Sequence, residues 1–185
     1  MNGKPRETLP PPNSRVAALL AGADFYDAWC LDSPAVERSA LEHFLAAARR
    51  TPRWVDFCMA LRNRIVGWFG LKNLGDLSGL PPDQPASAYQ VGDRVGIFTL
   101  FENTFDEVLL GDNDKHLNVV VGVHRQPAPA GCGVLVTVTT VVHVKNLLGR
   151  IYMIPVKPMH RLITPAVLKA LAPRPRTSSQ AGGIE

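Results

Sequence analysis

A chain of 185 residues, 46% hydrophobic and 19% charged, can bury one core without staples and is too apolar to be disordered throughout. Its net charge of +4 is unevenly spread: eight acidic residues and one basic residue lie from Asp76 to Asp114, and seven basic and no acidic ones from Lys145 to Arg176. Three scattered cysteines (Cys30, Cys58, Cys132) with no CxxC spacing argue against a disulfide framework and a zinc site, and no apolar run reaches the roughly 18 residues of a membrane span.

Residues 1–15, with Pro10, Pro11 and Pro12 in succession, read as an extended, disordered leader without the apolar stretch of a signal peptide. Residues 173–185 read as a disordered tail, which leaves one domain over 16–172 and a reduced, cytoplasmic setting as the expectation. A strand is expected over 23–31, ADFYDAWCL, from Phe25 and Trp29. Two helices share a start signal, a hydroxyl at the N-cap followed by proline: Ser33-Pro34 opens 34–50 and Thr51-Pro52 opens 52–69. The first carries Leu41, Phe44, Leu45 and Ala48 on one face; the second repeats Trp54, Phe57, Leu61, Ile65 and Trp68 at helical spacing. The run GLKNLGDLSGLPPDQP then breaks the pattern.

From Arg94 the period changes to two. Val95, Ile97, Thr99 and Phe101 form one apolar row, and Leu117, Val119, Val121 and Val123 another. Val134, Val136, Val138, Thr140, Val142 and Val144 form the longest row, with Leu135, Thr137, Thr139, Val141 and His143 facing the other way. Short turns between such rows predict an antiparallel meander with one buried face. The last element, 146–171, is helical by periodicity, with a bend expected at Pro155 and Pro158 and a restart at Thr164-Pro165. It is the natural cover for the sheet, and the space beneath it is the expected cavity.

That element order resembles the α+β helix-grip fold of START and SRPBCC-like domains, a curved antiparallel sheet wrapped around a long C-terminal helix. The segments ADFYDAWCL, VGWFGLK, VGDRVGIFTLFENTFDEVLLGDNDKHLNVVVGV and TTVVHVKNLLGRIYMIPVKPMHRLITPAVL more specifically resemble an uncharacterised bacterial family of domains of unknown function. Members of that family are also similar to a module found behind epimerase-like short-chain dehydrogenase domains. No GxGxxG follows a strand here, so no dinucleotide cofactor is expected. The resemblance implies a ligand cavity and supplies no catalytic residues.

The expected ligand is a hydrophobic or amphipathic small molecule, held by Trp54, Phe57, Phe98, Phe101, Val136, Val138, Tyr152, Met153 and Met159, with Arg150, Lys157 or Arg161 meeting an anionic head. Glu102, His116 and His143 are the candidates for acid–base chemistry. The GDNDKH segment has the turn formers of a hairpin loop; it lacks the glycine and closing glutamate of a calcium loop, and His116 and His124 have no third zinc ligand. No metal and no nucleic acid are expected, since the aromatics do not interleave with the basic positions; a homodimer is compatible with the pattern. Two further readings stay open: a cyclase- or dehydratase-like enzyme, which needs a buried polar pair in the cavity, and a ligand-free module partnering an oxidoreductase, which needs a filled core.

Overall fold

The alternating rows become strands of one antiparallel sheet. A computed structural model describes residues 3–67, 79–129, 131 and 133–172. The readings made on Trp68, Cys132, most of GLKNLGDLSGLPPDQP and the tail from 173 lie outside those residues, as does the side chain of Ile65. In chain order the elements are β1 (Arg6–Glu7), a 3-10 segment (Arg15–Leu19), β2 (Phe25–Ser33), α1 (Ala40–Ala48) and α2 (Arg53–Gly67). A second 3-10 turn (Ala86–Ala88), β3 (Arg94–Val95), β4 (Phe98–Asn103), β5 (Glu107–Asn113), β6 (Leu117–Pro127), β7 (Val134–Val144) and α3 (Leu147–Lys169) follow. The sheet order is β1-β2-β7-β6-β5-β4-β3. From β3 to β7 neighbours in sequence are neighbours in the sheet, as short hairpin turns require.

Register assigns the faces. Val142 pairs with Phe25 and Val119, Thr140 with Asp27 and Val121, and Val136 with Leu31 and Arg125, so these residues share the inner face. The α1 residues Leu41, Leu45 and Ala48 and the α3 residue Leu168 pack there against Leu31, Val108, Leu110, Val123, Val134 and Val136. The opposite face is covered by the 3-10 segment, whose Val16 packs on Leu109, Val120 and Val141. Glu107 fixes that segment, its carboxylate accepting from the backbone N–H groups of Arg15 (2.9 Å) and Val16 (3.3 Å).

Three local expectations are corrected. Ser33 ends β2 instead of opening a helix; α1 begins at Ala40, where Ser39 and Glu42 form a reciprocal capping box. A bulge between Leu100 and Glu102 changes the alternation of β4, and Phe101 joins the outer cluster with Val16 and Leu109. α3 runs through Pro155, Pro158 and Pro165 with no restart. The carbonyls deprived of a donor by the first two prolines belong to Ile151 and Ile154, which lie on the exposed side of the helix, where an unmade helix bond costs least.

Candidate functional site

A cavity of about 90 Å3 lies under the first half of α3. Phe25, Leu117, Val119 and Val142 line its sheet side, and Tyr152, Met153 and Val156 its helix side. Phe25, Val142 and Met153 are buried and form an apolar cluster at its floor and roof. Asp112, Asp114 and His116, from the end of β5 and the turn into β6, close one end, with Arg62 of α2 beside them. The cluster that resembles a hairpin turn is therefore both a turn and part of the cavity wall.

Contacts between α3 and that turn set the height of the roof. Asn146 caps the helix, its Oδ1 accepting from the Gly149 N–H at 3.0 Å. Its Nδ2 donates to His116 Nδ1 (2.9 Å) and to the Lys115 carbonyl (3.2 Å). Gly149 packs so closely that any Cβ there would collide with the His116 carbonyl oxygen. Arg62 donates to the Tyr152 hydroxyl at 2.9 Å and lies over its ring, which ties α2 to the same roof. Asp112 is salt-bridged at 3.2 Å to Arg94 of β3.

The inner end is polar. Thr140, the one hydroxyl in the valine row of β7, is 2% exposed and lies directly across from Asp27 of β2. His160 comes down from α3 between them: Nδ1 is 3.0 Å from Asp27 Oδ2 and Nε2 is 3.3 Å from Thr140 Oγ1. Thr164, one turn further along α3, lies within 3.3 Å of both ring nitrogens. Trp29 Nε1 donates to the same Asp27 oxygen, while Asp27 Oδ1 is buried with no partner among the described residues. Phe25 packs edge-on against the His160 ring. A carboxylate that accepts from Nδ1–H leaves Nε2 of the neutral imidazole as an acceptor facing the cavity.

Of the residues expected to hold a ligand, Tyr152 and Met153 line this cavity, and Met159 does not. Val136 and Val138 belong to the packed core beside α1, and Phe98 meets Phe44 edge-on in that region. Phe101 is on the outer face, and Trp54 and Phe57 are 43% and 69% exposed on α2. Among the acid–base candidates His116 lines the cavity. Glu102 pairs with Arg15 at 2.5 Å, and His143 Nε2 lies 3.2 Å from the Ala21 carbonyl, both away from it. Asp27, Thr140 and His160 were not singled out by sequence reasoning. Thr140 is the lone polar residue of its valine row, and Asp27 and His160 each follow apolar residues on the inward side of their elements; those interruptions are the available signal.

Among the described residues no group of three or more His, Cys, Asp or Glu side chains is placed to hold a metal, and no helix is long and apolar enough to cross a membrane. A more open groove of about 400 Å3 lies at the sheet's other edge, between the residues around Leu80 and Arg94. No curated protein and no solved structure matches this chain. The family model for a protein of unknown function, DUF2867, matches residues 19–167, and the chain belongs to that family.

Proposed function

We propose that this protein is a helix-grip, START-like module that holds a small amphipathic molecule between the sheet and α3. The order in which β2 joins β7 and the meander runs out to β3, with α3 laid across the inner face, supports that architecture. The single observation that carries the binding reading is the partly enclosed, mostly apolar space lined by Val142 and Met153, which ends on Thr140 and His160. A volume of about 90 Å3 is well below the roughly 300–1,000 Å3 of drug-sized sites, so the occupant is a few heavy atoms or the short limb of a larger molecule. The buried Asp27–His160 pair also favours a second reading, acid–base chemistry on that occupant, because a buried carboxylate–imidazole couple can hold and return a proton.

Native mass spectrometry of freshly purified protein tests the binding reading. The native chain should carry a small copurified mass or take one up from a fragment mixture, and Val142→Phe should lose it. Filling the cavity in this way should cost about 1–3 kcal/mol of stability at most. Uptake that is unchanged in a folded Val142→Phe protein would contradict the location, and no uptake by either protein would contradict the function.

A further inference from the structure

Resting on the small-molecule reading above, we propose that Asp27, His160 and Thr140 make the cavity selective for a hydroxyl compound: a short-chain alcohol, or the hydroxyl-bearing end of a larger one. With the Asp27 carboxylate ionised and the His160 ring neutral, the contacts give the hydrogen bonds one direction. Asp27 is 3% exposed at its side chain, and its Oδ2 is 3.0 Å from His160 Nδ1. An ionised carboxylate has no proton to give, so the neutral imidazole donates from Nδ1 and presents a lone pair at Nε2. The hydroxyls of Thr140 and Thr164 lie 3.3 Å and 3.2 Å from that nitrogen and are the only protein groups in bonding reach of it among the described residues.

A ligand hydroxyl entering beside Val142 would donate to Nε2 and accept from the displaced Thr140 hydroxyl, satisfying three polar groups at once. A ketone of the same size offers no proton to Nε2, and a hydrocarbon offers neither half of the exchange. With the ketone Thr164 stays as the partner of Nε2 and only the Thr140 bond is gained, and with the hydrocarbon none is, so the alcohol makes one hydrogen bond more than the ketone and two more than the hydrocarbon. The carbon limb would lie against Phe25, Val119, Val142 and Met153.

The test uses the full chain and three probes of nearly equal size: 2-butanol, 2-butanone and 2-methylbutane. Binding is followed by NMR titration of the Val142 and Met153 methyl groups at a pH of about 8, above the ordinary imidazole range. The expected result is that 2-butanol binds about tenfold more tightly than the other two. Thr140→Val removes the donor to the ligand oxygen, and it should weaken 2-butanol and 2-butanone alike while leaving 2-methylbutane binding in place. As a readout independent of any variant's folding, 15N–1H correlation on the native protein should show the His160 proton on Nδ1. A proton on Nε2, or equal binding of all three probes, would overturn the hydroxyl selectivity while leaving the cavity reading intact. No shift at Val142 or Met153 with any probe would overturn both.

Discussion

His43 on α1 is fully buried, and its pKa is lowered to about 4 by removal from water first and by the charges of Arg38 and Arg125 next. The unfolded chain takes up this proton near pH 6.5, and the folded chain takes it up only near pH 4. The neutral ring's contribution is therefore complete above about pH 6.5 and is lost as pH falls toward 4, by on the order of 3 kcal/mol. Urea denaturation between those limits should show that loss, and His43→Leu should remove much of the slope; an unchanged slope would contradict the assignment. The inner polar group behaves differently in the sequence. Asp27, Thr140 and His160 are visible as polar residues within largely apolar rows, but nothing local says that they meet. Their meeting depends on the register of β2 against β7, which pairs Asp27 with Thr140, and on the rotation of α3. Glu102 and His143 stood out as isolated ionisable residues in strand patterns, yet each has its partner on or near the segment that covers the outer face.

Helices α1 and α3 show two sides of reading starts and stops. Ser33-Pro34 has the right chemistry for an N-cap, but β2 continues to Ser33 and the reciprocal box at Ser39 and Glu42 comes later, satisfying two orphan donors in place of one. In α3 the prolines suggest a bend and a restart; the helix is continuous through all three, and Pro155 and Pro158 sit on the exposed side, so the apolar side stays against the sheet. What holds that helix over the cavity is its first turn: Asn146 bonded to the β5–β6 turn, and Gly149 against the His116 carbonyl. Gly149→Ala improves helix propensity by up to about 1 kcal/mol, and it forces the helix off that turn. The expected net effect is a loss of roughly 1–3 kcal/mol, as for overpacking elsewhere, together with faster exchange of cavity ligands. A stabilised variant with unchanged exchange, measured by thermal unfolding and NMR line shape, would show that the contact does not set the roof.

At the scale of the whole molecule, the strict period of two made the meander legible, and the valine row of β7 faces inward as its length suggests. β1 carries no such signal. Two residues cannot show a period, and the pairing of Arg6 and Glu7 with Cys30 and Trp29 becomes apparent only once β2 is placed. The position of the cavity is not legible along the row for a similar reason. Val136 and Val138 belong to the same row as Val142, but α1 and the last turns of α3 pack above them, and the opening lies further along β7, at Thr140 and Val142. The acidic and basic halves of the chain meet only in part. Arg94 salt-bridges Asp112 within the acid-rich half, Lys145 donates to Asn113 at the turn, and Lys157 lies over the Phe25 ring beside the cavity.

A crystal structure of the full chain under xenon pressure tests the central claim most directly, because an apolar space of this kind takes up the gas without any polar contact. The account predicts xenon density among Val119, Val142 and Met153, with the Asp27–His160 contact unchanged. An empty site with Met153 packed directly onto Val142, and α3 lowered onto the sheet, would contradict it.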